Sequence, residues 1–264
     1  MTPEPDAPRG GIHPSAIIEP GARLGRDVSV GPCAWIGPKA TIGDRTRIGA
    51  HVVVEGWTDV GADCIIHHGA VVGAEPQDLK YRNEPSRVII GDGNTIREFV
   101  TIHRGTLAGE ETRIGDGNLL MAYVHIAHNC RLGNHTILAN AVNLAGHVII
   151  EDYARVGGVT PVHQFVRIGA YAFIGGGSRA AQDVPPFFLA AGNPIRMIGV
   201  NVIGLRRAGF SAEARLILQR AYKILYRSKR NTTQALAAIR ETLPATPEIE
   251  RLVAFIDSSE RGIS

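Results

Sequence analysis

Large rings are scarce in this 264-residue chain, with two Trp, six Tyr and seven Phe making up 6 % of it. A core built mainly around aromatic side chains is therefore excluded. Cysteine is rarer still. Cys33, Cys64 and Cys130 are odd in number and show no metal-type spacing, which excludes a disulfide framework and reads as free thiols in a reducing compartment. No apolar run approaches the roughly 20 residues that a membrane-spanning helix needs. Residues Met1 to Gly10 are polar and Pro-rich without an apolar h-region, so no secretion signal is read there. The expected location is cytoplasmic. The net charge is only +3, so any strongly basic surface has to be local, and nothing resembles a nucleic-acid-binding module.

What the chain has in quantity is glycine, 31 residues, and a period. Every sixth residue from Ile12 to Val72 is Ile, Leu or Val, the pattern resumes at Ile90, Ile96 and Ile102, and it then runs without a miss from Ile114 to Ile174. Gly often follows the aliphatic residue, as at Gly25, Gly31, Gly37, Gly43 and Gly49, and is read as the residue that lets the backbone turn. A small or β-branched residue stands four positions after it, as at Ala16, Ala22, Val28, Ala34 and Ala40. Six matches neither the helical period of 3.6 nor the strand period of 2. It fits a short strand plus a tight turn, three of which close one triangular coil, with coils stacked about 4.8 Å apart. The fold class is thus a parallel β-helix, expected over residues 11–186. The period alone does not give its hand; parallel crossovers are right-handed in about 98 % of cases.

Two segments break the period, 74–87 (AEPQDLKYRNEPSR) and 106–113 (TLAGEETR), and both are expected to be loops leaving the coil. Beyond Pro185-Pro186 the period stops. Ser211–Arg227 carries apolar residues at helical spacing behind a Ser cap, and Thr233–Leu243 and Pro247–Ile256 read as two further helices, the last capped by Thr246. Residues 187–264 are therefore expected to form a small α-helical C-terminal domain.

With three hexads to a coil, Ile126, Leu144 and Val162 occupy one corner of successive coils. His128, His147 and His163 follow them closely, so all three share one face, with His125 expected at the adjoining corner. Such a strip admits three readings: outward polar decoration, a zinc site as in the gamma-class carbonic anhydrases, or proton transfer by an imidazole of ordinary pKa near 6.5.

The segments QDLKY (77–81), TIHRGT (101–106), HIAHNC (125–130), LAGHV (144–148), VHQF (162–165), AQDVPP (181–186) and GVN (199–201) together resemble the UDP-N-acetylglucosamine O-acyltransferases, a hexapeptide-repeat family acting at the first step of lipid A synthesis. The resemblance runs along nearly the whole chain and implies a left-handed β-helix, an exception to the crossover rule. It implies that His128 is the general base that deprotonates the glucosamine 3-hydroxyl, and that the backbone N–H of Gly146 receives the oxyanion formed at the thioester of an acyl carrier protein. By the same resemblance Asp78 contacts the 3-hydroxyl of a hydroxyacyl chain and Lys80 the nucleotide sugar. Gln77, His103, His125, His147, His163 and Gln164 match substrate-contacting positions, Gly176 lies toward the end of the acyl groove, where small residues imply a longer chain, and Asn201 and Arg207 match uridine and diphosphate positions. It implies no metal and no cofactor, because a thioester is already activated, and a homotrimer with sites between subunits. Transfer to a 3-amino sugar nucleotide and a zinc-dependent hydratase are the alternative activities.

The chain departs from the family pattern at three positions: Asn129 stands where Asp is usual, Ile203 where an acid is usual, and Ala208 where a third basic residue is usual. Between Val200 and Arg230 eight basic residues face one acid, Glu213. That local charge suits an acidic carrier protein.

Overall fold

The computed structural model describes residues 11–264, so the reading of Met1–Gly10 lies outside the described residues. Most aliphatic residues of the period are the second residue of a short strand, from Gly11–Ile12 (β1) to Phe173–Ile174 (β25), while Val60, Ile90 and Ile114 end four-residue strands. The strands form three sheets, one of eleven strands and two of eight, and through the coils every third strand in sequence is a parallel neighbour in space. The chain thus winds as a left-handed parallel β-helix. The repeating aliphatics point inward: Ile36, Ile96, Ile102, Leu120, Ile126, Leu138 and Leu144 are fully buried. So are the small residues four places on, such as Ala34, Ala70, Val124, Cys130 and Val148. A single coil could not bury these side chains; stacking does.

The corners assign the turn differently from the sequence expectation. The left-handed backbone falls three residues after the aliphatic, at Asp27, Cys33, Arg45, His51, Asn129, His147, Tyr153 and Phe165 among others, with φ between 55° and 65°. These corners are mostly not glycine. The glycine directly after the aliphatic serves close stacking instead: a Cβ on Gly43 would lie 2.4 Å from the Gly61 carbonyl carbon of the next coil. One corner is further tied by carboxylates and amides that accept backbone N–H groups of the coil before, Asp92 from Ala62, Asp116 from Asp92, Asn134 from Asp116 and Asp152 from Asn134, at 2.7–2.8 Å.

The two interruptions span 75–86 rather than 74–87 and 104–110 rather than 106–113. The first lies between Val71–Ala74 (β11) and Arg87–Ile90 (β12), the second between Thr101–His103 (β14) and Glu111–Ile114 (β15). Strand pairing closes across both, since Val72 pairs with Ile102 and Ile102 with Ile126. The excursions therefore leave the coil and return to it in register, which presents both on the face that carries the histidines.

Strand pairing continues past residue 186. Phe188–Ala191 (β26) adds to β25, and Arg196–Val200 (β27) pairs antiparallel with β26. Phe188 and Ala190 fill the last coil although the period has ended. Helices follow at Val202–Arg207 (α1), Ala212–Arg227 (α2), Thr232–Thr242 (α3) and Pro247–Asp257 (α4). Ser211, Asn231 and Thr246 cap the last three through their side chains. The six-residue α1 is a helix that sequence periodicity does not reveal, being too short to show one. Among the described residues no helix is long and apolar enough to cross a membrane.

Candidate active site

The site grows from one sheet face and one corner. His125–Ile126 (β17), Asn143–Leu144 (β20) and Pro161–Val162 (β23) are consecutive neighbours in the second sheet, so the residues that follow them stack one coil above another. His125 belongs to this sheet rather than to the adjoining corner, because in each two-residue strand the outward residue directly precedes the inward one. It stands beside Thr101 of β14, whose Oγ1 is 2.8 Å from its Nδ1.

His128 lies at the centre. Its Nδ1 is 2.8 Å from Asn129 Oδ1 and 2.9 Å from Thr106 Oγ1. Both of its described hydrogen bonds use Nδ1. Its Nε2 has no described hydrogen bond, with Asp78 Oδ2 at 3.9 Å. An amide oxygen can only accept, so Nδ1 carries the proton and Nε2 keeps a free lone pair. That is the tautomer a general base requires. The Asp78 carboxyl is held below the usual range, first by the Lys80 backbone N–H that it accepts, with His128 and Lys80 adding to the effect. It therefore stays anionic beside the imidazole.

Gly146 lies against the same ring. A Cβ there would fall 2.5 Å from His128 Cε1 and 2.6 Å from Nε2. Its carbonyl accepts from the Phe165 N–H, while among the described residues nothing accepts from its own N–H. A backbone donor without a partner next to a free base is the pair that acyl transfer uses.

His147 meets His128 edge-on with ring centroids 5.3 Å apart and stacks on Phe165 at 4.7 Å. Burial and the neighbouring His128 push its pKa down. His103 is buried, donates through Nδ1 to the Glu75 carbonyl at 2.5 Å and lies 5.1 Å from the His125 ring. Burial lowers both, His125 to about 4, so these two are neutral donors or acceptors rather than charges near neutral pH.

The remaining expected positions divide in two. Gln77 and Lys80 are exposed on the first excursion, and His163 and Gln164 are exposed one coil beyond His147. Gly176 sits on an open corner beside Gly158. Asn201 and Arg207 belong to the far end. The Asn201 side chain caps α1 by accepting from the Gly204 N–H and donates to the Tyr171 carbonyl, and Arg207 is exposed in the last turn of α1. Neither touches the histidine cluster within one chain.

Two contacts of the cluster are absent from the sequence reading. Thr106 reaches His128, and Glu110 reaches Asn129, both from the second excursion. Thr106 ends the segment TIHRGT quoted for the resemblance without a role assigned to it, and the only sequence signal of Glu110 was its place in a loop that interrupts the period. Among the described residues of one chain no three His, Cys, Asp or Glu side chains form a group that could hold a metal ion.

The fold and the histidine-lined corner define the class, a hexapeptide-repeat transferase. The family profile described as bacterial transferase hexapeptide (six repeats) matches residues 39–74 and 111–146, and that described as UDP-N-acetylglucosamine O-acyltransferase, domain 2, matches residues 183–264. The acyl-[acyl-carrier-protein]–UDP-N-acetylglucosamine O-acyltransferase of Halorhodospira halophila is 50 % identical over 253 residues, 96 % of this chain and 98 % of its own. That of Burkholderia orbicola is 51 % identical over 257 residues, with the same shares covered. Among solved structures, the UDP-N-acetylglucosamine acyltransferase of Bacteroides fragilis superposes with a TM-score of 0.94 at 45 % identity, over 96 % of this chain and 99 % of its own. The chain belongs to the acyl-[acyl-carrier-protein]–UDP-N-acetylglucosamine O-acyltransferase family.

Proposed function

We propose that this chain transfers a 3-hydroxyacyl group from acyl carrier protein to the 3-hydroxyl of UDP-N-acetylglucosamine, with His128 as general base. One observation carries the reading: His128 Nε2 is free of hydrogen bonds and lies against Gly146, whose N–H is also free. Nε2 takes the proton of the 3-hydroxyl as that oxygen attacks the thioester carbonyl carbon. The oxyanion accepts from the Gly146 N–H. Collapse breaks the carbon–sulfur bond, and the departing thiolate takes the proton from the imidazolium. Asp78, 3.9 Å from Nε2, supports the imidazolium while it exists. No metal or cofactor takes part in these steps. The relatives are named as O-acyltransferases acting on UDP-N-acetylglucosamine, so neither the 3-amino acceptor nor the hydratase is favoured.

The working unit is a homotrimer with sites between subunits. Phe99 and Tyr123 are exposed large apolar residues on one corner of successive coils, Val159 stands two coils further along the same corner, and Leu79, 95 % exposed, tips the excursion beside Asp78 and Lys80. Apolar side chains aligned on one corner suit burial between subunits. Gln77, Lys80, His163, Gln164 and Gly176 from one subunit then face Asn201 and Arg207 of another across the substrate groove. The protein works in the cytoplasm.

The test is mass spectrometry of the product formed from UDP-N-acetylglucosamine and a panel of 3-hydroxyacyl carrier proteins, beside His128→Ala. An acylated sugar nucleotide from the wild type, with a loss of at least about 100-fold in the variant, is expected for removal of a general base. Undiminished turnover by His128→Ala would end the case for that residue.

A further inference from the structure

Asn129 occupies the position where the family pattern has a carboxylate, so the charge behind His128 is missing from its expected place. It is not missing from the site. Glu110 Oε2 accepts from Asn129 Nδ2 at 2.7 Å and from the Leu107 N–H at 2.9 Å. Asn129 Oδ1, at the other end of the same amide, is 2.8 Å from His128 Nδ1 and accepts the Thr106 N–H at 3.2 Å.

We propose that Glu110 is a positioning residue for the transfer: by accepting from the Asn129 amide it fixes that amide's orientation, and with it the tautomer of His128 that leaves Nε2 free. The inference rests on the reading of His128 as the base. The argument is one of donors and acceptors. A carboxylate only accepts, so the amide must turn its NH2 toward Glu110 and its oxygen toward His128. The opposite orientation would set two acceptors 2.7 Å apart and point an NH2 at Nδ1. Nδ1 would then have to be the unprotonated nitrogen, Nε2 would carry the hydrogen, and the base would be lost. The other neighbour of Nδ1 cannot make this choice, because the Thr106 hydroxyl donates and accepts equally well. Glu110 is also ionised: burial raises its pKa, but the Leu107 N–H, the Asn129 amide and His147 outweigh that and hold it below the usual range. Where relatives place the carboxylate against the imidazole, this chain places it one amide further back.

The arrangement predicts a charge swap. Glu110→Ala removes both the acceptor and the charge and is expected to lower kcat about 10- to 100-fold, as loss of an orienting partner does, with little change in KM for UDP-N-acetylglucosamine. Glu110→Gln can keep the acceptor without the charge and is expected to fall in between. Asn129→Asp alone sets two carboxylates against each other and is expected to lose activity. The double variant Glu110→Gln/Asn129→Asp restores a carboxylate–amide pair in reversed order and is expected to return kcat near the wild-type level. A merely structural role for Glu110 gives no such rescue. A wild-type kcat for Glu110→Ala, or no recovery in the double variant, overturns the proposal if His128→Ala is inactive in the same assay. An active His128→Ala instead removes the reading beneath it.

Discussion

At the scale of single residues, the site is decided by what is left without a partner. Most backbone groups on these corners bond to the next coil, as the Gly146 carbonyl does to Phe165. The Gly146 N–H has no acceptor among the described residues. Its residue type is fixed by His128 rather than by backbone strain, since Gly146 is not among the positive-φ residues. Gly146→Ala is therefore expected to fold and to fail in catalysis. The added methyl would need the space of the imidazole edge, 2.5 Å away, and would push Nε2 out of line with the donor. The backbone N–H itself is kept, so the expected loss is that of a displaced general base, about 100-fold or more in kcat. Circular dichroism and steady-state kinetics together check this; a variant with native spectra and near-native kcat would show that the imidazole can move without harm.

Elements explain why the excursions can carry chemistry without drifting. The first is held at its root by Arg104, whose guanidinium donates to the Gly73 carbonyl at 2.8 Å and to the Tyr81 hydroxyl at 2.7 Å, with Glu75 at 3.4 Å. Its side chain is only 8 % exposed, whereas Glu75 is 61 % exposed. The buried bonds to Gly73 and Tyr81 thus outweigh the half-solvated ion pair. Arg104→Met keeps the stem and removes the head. It leaves the Gly73 carbonyl without that donor and frees the segment that bears Asp78 and Lys80. A stability loss of about 1–3 kcal/mol is expected, together with faster proteolytic cleavage within 75–86 and a raised KM. Unchanged cleavage would mean that Tyr81 and the loop's own contacts suffice. The period of six made the solenoid legible from the sequence, because each aliphatic residue reports its own burial. The shared face of the histidines was legible because the aliphatic residues they follow, Ile126, Leu144 and Val162, are one coil of 18 residues apart. Thr106, Glu110 and Arg104 were not, because a loop has no period from which to count. The true role of the corner glycines was also hidden: the sequence shows that Gly recurs but not whether φ or stacking demands it.

Over the whole molecule, charge is distributed unevenly enough to choose a partner. Seven of the eight basic residues between Val200 and Arg230 are exposed, Arg215 being the exception. Among the described residues none of the eight takes part in an ion pair; the described pairs lie along the β-helix and at Arg240–Asp257 and Arg251–Glu151. The buried face of α2 is Ile217, Leu218, Ala221 and Tyr222, which leaves Arg220, Lys223 and Arg227 as an exposed stripe at helical spacing. An acidic carrier protein approaching this stripe is drawn by charge before any specific contact forms. Screening acts on such exposed charge over about 10 Å at 0.1 M salt. The KM for the acyl carrier protein substrate is therefore expected to rise steeply with added NaCl. The diphosphate of the sugar nucleotide is also an anion, and Arg207 is assigned to it, so salt alone does not separate the two. Charge reversal does. Arg220→Glu/Lys223→Glu/Arg227→Glu leaves Asn201, Arg207 and the histidine cluster untouched. It is expected to raise KM for the acyl donor several-fold, to flatten its salt dependence and to leave KM for UDP-N-acetylglucosamine where it was. Equal changes in both constants would place the stripe at the nucleotide instead, and no change in either would leave the basic surface as solvated charge. The expected split follows from the order of events, since a macromolecule is steered by the surface it meets first and a small sugar nucleotide by the groove it enters.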